Sequence, residues 1–302
     1  MTSSSRGFSL AELTMALAIT VGIGTIIFQL FHRNERIFRD QNLIIEMQQT
    51  ARAVASQIAD EVRMAGEGVP IYASTFDNNA SEPVAAILAT STSSRLDFRA
   101  GLSNTETNVT ASPPIELTLG ASQTLAVGNG SLFATALGTS TPVGRFVFIW
   151  GPAGNSAWAW VRAELANISP TNLTIVPRQS GDAGRSGDSI RFTQSPAVSL
   201  EEAISFRMSD SSVRRATASD AANQTNPTWS AANEIGRNFT SLGFAYYDEY
   251  DNVVTPGSLA ARMSIARVDI RVTAQTSDPL SNGERPTYPL SLRVIPRNLR
   301  LR

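Results

Sequence analysis

Ser5-Arg6-Gly7-Phe8-Ser9-Leu10-Ala11-Glu12-Leu13 opens a run that carries no formal charge from position 13 to position 31. The run is rich in Leu, Ile, Ala and Val. As a helix rising 1.5 Å per residue it spans roughly 28 Å, close to the hydrocarbon thickness of a bilayer. A secretory signal fits poorly. The apolar run exceeds a usual signal core, and Phe31-His32-Arg33-Asn34-Glu35 offers no small-residue cleavage site. A plain membrane anchor accounts for the run but leaves Glu12 unexplained, because a carboxylate at the start of an apolar span is costly and such residues are usually functional.

The same nine residues resemble the class III signal of type IV prepilins and pseudopilins. Those proteins have a short polar leader ending in Gly, then Phe, then Glu as the fifth residue after the cut, followed by a long apolar helix. The resemblance implies cleavage between Gly7 and Phe8 by a prepilin peptidase and methylation of the new Phe8 amine. It further implies a head exported across a bacterial inner membrane and later incorporated into a surface filament.

Elementary electrostatics agrees with that reading. A Phe8 amine and a Glu12 carboxylate one turn apart are both uncomfortable in a water-poor helix bundle unless paired. In a filament, Glu12 of one subunit can meet the Phe8 amine of a neighbour and fix the axial register. The bland alternative is that Glu12 complements the helix macrodipole, which leaves Gly7-Phe8 without a role. One rule points the other way. Arg6 precedes the span while Arg33, Arg36 and Arg39 follow it, a distribution that places the amino terminus outside. The resemblance requires the reverse orientation. Gly22 and Gly24 sit mid-span, read either as ordinary close packing or as a segment that unwinds during assembly.

Helical periodicity continues past the span. Ile44, Met47, Ala51, Val54, Ile58, Val62 and Ala65 recur at steps of three and four, which draws one apolar stripe. Gly66, Gly68 and Pro70 predict its end. A coiled coil is the rival reading, but the stripe is short and irregular for one.

Beyond Pro70 the sequence turns to Ser, Thr, Asn, Gly and Pro with short apolar runs, the pattern of strands joined by loops. Strands are predicted at 95–99, 115–119, 145–150, 157–164, 172–176, 189–193 and 203–208. The clearest alternation is at 267–273, repeated at 290–294, with the 279–289 loop allowing an antiparallel pair. The stretch from Leu242 to Asp248, the ending from Leu292 to Leu299 and the helix from Glu46 to Gly66 are similar to PilW-type minor pilins, the first also to J-type pseudopilins. The expected fold class is α+β: a lollipop with a leader (1–7), a transmembrane or filament-core helix (8–31), its amphipathic continuation (32–66) and a β-rich head (67–302).

Composition removes most enzyme chemistry. The 302 residues include one His and no Cys, and every one of the 25 basic residues is Arg. Disulfides, thiolate nucleophiles, Schiff-base lysines and His-based triads are therefore excluded or implausible. A net charge of −1 gives no global field for nucleic acid. Asp248, Glu249, Asp251 and Asn252 place four oxygen-bearing side chains within five positions, a weak calcium candidate, though the spacing is not that of an EF-hand and Asp251-Asn252 is a natural turn. Ser180-Gly181-Asp182 and Ser186-Gly187-Asp188 around Arg185 read as a surface loop. The basic tail from Arg285 lacks interleaved exposed aromatics or a recognised binding motif, so it reads as a solvated strand and tail rather than a DNA surface. Trp150, Trp158 and Trp160 read as core or sheet-surface residues, and His32 as an interface residue.

The expectation is a non-enzymatic minor pilin of a type IV pilus, near the tip, that primes assembly by helix packing and head contacts. It needs no cofactor. Its partners would be other minor and major pilins, the prepilin peptidase and the inner-membrane assembly platform. A J-type pseudopilin of type II secretion is the alternative in the same class. An adhesin or DNA-uptake pilin is the alternative in another.

Overall fold

The structure is a computed structural model and describes residues 10–70, 85–154, 157–181, 183–223 and 225–298. One helix, α1 (Leu10–Arg63), runs for 54 residues, about 81 Å. It passes through Gly22 and Gly24 without a break, and nothing lies within 4 Å of where a Cβ would stand at either. Two short helices, α2 (Ser131–Leu137) and α3 (Leu259–Ser264), lie within the head.

The predicted stripe is the buried face of α1. Met47, Ala51, Val54, Ile58, Val62 and, just past the helix, Ala65 are buried, and Ala55 and Ala59 join them. Ile44 is only partly covered. The helix stops where the glycines allow it. Gly66 (φ 86°) and Gly68 (φ 69°) take left-handed backbone that would strain any side chain, and Val69 and Pro70 are then buried.

A four-stranded antiparallel sheet lies along this face in the order Val253–Val254, Phe239–Tyr247, Arg267–Gln275, Thr287–Val294. At its lower end Ala274 and Gln275 line a small crevice with Leu43, Met47 and Thr50. At its upper end the Arg297 N–H donates to the Arg63 carbonyl at 3.0 Å. The predicted pairing of the last two strands is present, in register from Val268↔Val294 to Gln275↔Thr287. Pro289 lies inside the last strand rather than in the loop before it; this is an edge strand, where a missing N–H is tolerated.

A second sheet orders Arg95–Arg99, Ala203–Ser209, Ser212–Asp220 and Thr228–Trp229, with Asn233–Gly236 also pairing onto Ser212–Asp220. These two sheets and α1 enclose one core, with Ile58, Phe98, Phe206 and Phe239 fully buried. At Gly236 the strand presses directly on the helix. A Cβ there would meet the Val54 Cγ2 at 2.4 Å and the Phe239 ring at 2.8 Å.

Arg99 and Ala203 are register partners across an antiparallel pair, so the residues between them leave and return at one point. They form a six-stranded sheet ordered Glu106–Asn108, Ala197–Leu200, Phe146–Gly154, Ala157–Ile168, Asn172–Ser180, Gln123–Ala126. A three-stranded sheet ordered Ile115–Thr118, Ser189–Phe192, Arg185–Ser186 covers it. Both close on a second core around Phe133, Val147, Val161, Leu165, Ile175 and Phe192 that includes no α1 residue. The α+β class holds, and the predicted strands are present with longer bounds for several. Ser212–Asp220, Gln123–Ala126 and Ala197–Leu200 are additional strands.

Candidate functional site: the exposed helix and its anchorage

From Leu10 to Arg39 every residue of α1 is exposed. Leu13, Met15, Leu17, Val21, Phe28 and Phe31 each expose more than half of their surface, Phe31 as much as 74%. The uncharged part of this exposed rod, from Leu13 to Phe31, is roughly 28 Å long, a far larger bare apolar surface than water-facing proteins carry. Its few polar side chains are adapted to an apolar setting. The Thr20 and Thr25 hydroxyls each donate at 2.8 Å to the carbonyl one turn back, Ala16 and Val21 respectively, and Thr14 donates to Ala11 at 3.0 Å. Glu12 stands in the first turn of the described helix, on the same exposed rod. Gly7 and Phe8 lie outside the described residues.

The head grips the second half of the helix by more than the apolar stripe. Asp40 is the lowest grip: its carboxylate accepts from the Ser281 N–H and hydroxyl, both at 3.0 Å. Higher up, Arg215 donates from Nε to both Glu61 oxygens at 2.8 and 2.9 Å. Past the helix end, the Gly66 N–H donates to the Arg99 carbonyl at 2.8 Å and the Gly101 N–H to the Glu67 carbonyl at 2.9 Å.

The inserted part is locked on at that same end. Arg99 and Arg162 each donate from Nε to Glu201, at 2.7 and 2.6 Å, and all three side chains are buried. Arg99 also donates to the Ala85 carbonyl at 2.8 Å, and Arg162 to the Ala221 carbonyl. The Arg162 guanidinium lies 3.8 Å over the Phe146 ring. Burial pulls the Arg99 guanidinium below its ordinary range, with Glu201 opposing. Sequence reading missed this trio. One signal was present: Arg162 interrupts the otherwise apolar Ala157-Trp158-Ala159-Trp160-Val161 run, and a cation inside a buried strand needs a buried partner.

The remaining candidates take ordinary roles. Asp248 organises the turn between two strands, its oxygens accepting from the Tyr250 and Asn252 N–H groups at 2.9 and 2.8 Å and from the Asn252 amide at 3.0 Å. That amide bond, chiefly, holds its carboxyl below the usual range. Asp251 pairs with Arg267. These oxygens point at turn donors and a guanidinium instead of converging, and no group of three His, Asp or Glu able to hold a metal occurs among the described residues. Asp248 and Asp251, two of the calcium candidates, thus serve a turn and an ion pair. Trp160 is core, Trp150 is half-buried and Trp158 lies on the sheet surface. His32 packs edge-on to Phe28 with ring centroids 4.3 Å apart and lies 3.5 Å from Glu35. Arg185 and Ser186 form an exposed strand pair with Ser189 and Ile190; Asp182 lies outside the described residues. Of the basic tail, Arg285 donates to the Ser277 carbonyl at 3.0 Å and Arg293 sits outward on the edge strand; residues 299–302 lie outside the described residues.

Fold and rod together define a class: a β-rich head carried on one helix long and apolar enough to cross a membrane. No protein-family model matches the chain, and no curated protein matches it.

Proposed function

We propose that this chain is a minor pilin of a type IV pilus, of the PilW type, which helps to prime filament assembly. The supporting observation is the division of α1: a first half exposed on all sides and without formal charge beyond Glu12 as far as Phe31, and a second half packed against a β-rich head. A soluble protein has no use for the first half. A membrane alone would explain it, but the Gly7-Phe8 junction and Glu12 are what a subunit needs to leave the membrane and join a bundle of like helices. In this reading Phe8 is methylated after cleavage, and Glu12 meets the amine of a neighbouring subunit. The work is packing rather than catalysis. The head would be exported from the bacterial inner membrane and end on the cell surface.

A position near the filament tip is part of the proposal. The inserted sheets attach beside Glu67 and Gly68, at the helix end farthest from the apolar rod, and add bulk where a following subunit would stack. Deleting the gene tests the reading: surface pili and twitching should disappear while protein secretion continues. The opposite pattern would indicate the J-type pseudopilin instead.

A further inference from the structure

Between the end of the apolar span at Phe31 and the first grip of the head at Asp40 lie two bare turns of helix. They carry Arg33, Arg36 and Arg39, all exposed. Arg36 stands four positions below Asp40 and Arg33 seven, so both lie on the helix face that meets the head above. Arg39 flanks them, 3.8 Å from Asp40. The neighbouring carboxylates on the helix are fewer than the arginines and have other partners in reach, and Asp40 also lies near Arg39. Glu35 lies 3.5 Å from His32, Asp40 accepts from Ser281, and Glu284 accepts from Asn282 at 2.7 Å. Three exposed cations against one exposed carboxylate, Glu35, therefore ring the helix between the span and the head.

We propose that Arg33, Arg36 and Arg39 form a collar that binds the phosphate headgroups of anionic phospholipids and so sets the clearance of the head above the bilayer. The proposal rests on the reading of α1 as a membrane helix. With the span filling the hydrocarbon layer, these residues fall roughly 3 to 12 Å beyond its edge, the depth of the headgroups and the water just outside them. Long Arg side chains reach down toward phosphate from there, and their forked donors match its oxygens. The same turns carry Ile37 and Phe38, which expose 44% and 66% of their surface. Apolar and basic side chains sharing two turns next to a span are the pattern of an interfacial anchor. The collar also gives the basic residues a use on whichever side of the membrane they emerge.

The test uses the full chain with Gln41→Cys, a unique thiol because the sequence has no Cys. A fluorophore on that thiol sits just above the collar. The labelled protein is reconstituted into vesicles of phosphatidylcholine alone or mixed with phosphatidylglycerol, and flotation establishes insertion. Depth is read by quenching from lipids brominated on their acyl chains. Quenching should be about twofold stronger in the mixed vesicles, and the difference should shrink in high salt. It should vanish in the Arg33→Gln, Arg36→Gln, Arg39→Gln variant and persist when all three are Lys. Equal quenching in both lipids, or an unchanged Gln variant, overturns the collar while leaving the membrane helix intact. Failure of the chain to float overturns the membrane helix and the collar with it.

Discussion

Arg99 donates to Glu201 across 2.7 Å although the two residues lie 102 positions apart in the chain. Glu201 also accepts from Arg162 at 2.6 Å, so one buried carboxylate joins a strand of the helix-bound sheets to a strand of the inserted sheet. Two buried guanidinium groups depend on it. The junction is therefore a point where the head is most sensitive to a single charge.

Glu201→Ala should destabilise the protein by about 3–5 kcal/mol, because it leaves two cations buried without their anion. Urea unfolding of the full chain in detergent, followed by near-ultraviolet circular dichroism of the Trp residues, measures this. A loss below about 1 kcal/mol, the range of an exposed pair, would show that the trio is not the lock described.

Ile58→Ala should cost about 2–5 kcal/mol, since Ile58 is fully buried at the centre of the helix–sheet contact. Gly236→Ala should destabilise as well, through the clash with Val54 and Phe239. The same unfolding experiment reads both, and an unchanged midpoint for Ile58→Ala would contradict the packing.

Glu12→Ala should reduce incorporation into filaments by an order of magnitude or more, about 1.4 kcal/mol per factor of ten, while cleavage after Gly7 continues. Immunoblotting of sheared filaments and of membranes separates the two effects. Normal incorporation of the variant would refute pairing with a neighbour's amine.

Asp40→Ala should free the loop at Ser281 without unfolding the head. Hydrogen exchange should rise at Ser281, whose N–H loses its acceptor, with a global cost of about 1 kcal/mol. Unchanged exchange there would mean the contact contributes nothing.

Glu106 has its carboxyl raised above the usual range, first by partial loss of water around the carboxyl although the residue as a whole is exposed, and second by nearby Glu67. A raised carboxyl favours the protonated form in the folded protein. Its stabilising effect is present below the ordinary Glu range and is lost as pH rises through the folded value. Glu106→Gln should therefore raise the neutral-pH melting temperature slightly, the gain being small because Glu106 is exposed, and should flatten the acid side of the stability curve. A lower melting temperature at neutral pH would reverse that sign.

The helix was legible because its two halves carry two plain signals, an uncharged run and a three-four stripe. The strands at 267–273 and 290–294 were legible because β-branched and apolar residues alternate with Arg, Asp and Ser. Ser212–Asp220 was not. Its buried positions are Ser212, Val213, Ala216 and Ala218, and Ser and Ala side chains give little contrast, while consecutive Arg214 and Arg215 break the alternation. Arg215 is there to reach Glu61 on the helix. The second core escaped notice because composition does not change between Ala100 and Glu202, and the closure of Arg99 on Ala203 is a long-range pairing with no local trace. At the candidate site, the place of Glu12 at the start of the uncharged run is a local feature of the sequence. The lower grip at Asp40 was not legible, since its partner Ser281 is 241 positions away.

The unbroken course of α1 has a mechanical consequence. A load applied at the apolar end travels along one rod, with no joint at Gly22 or Gly24 to absorb it. It reaches the head along a contact that extends from Met47 to Val62, roughly 24 Å of helix, beside strands that follow the same axis. The buried side chains would then resist in shear, all at once, rather than peeling apart in turn. Tension on the rod is spread over a whole face of the head.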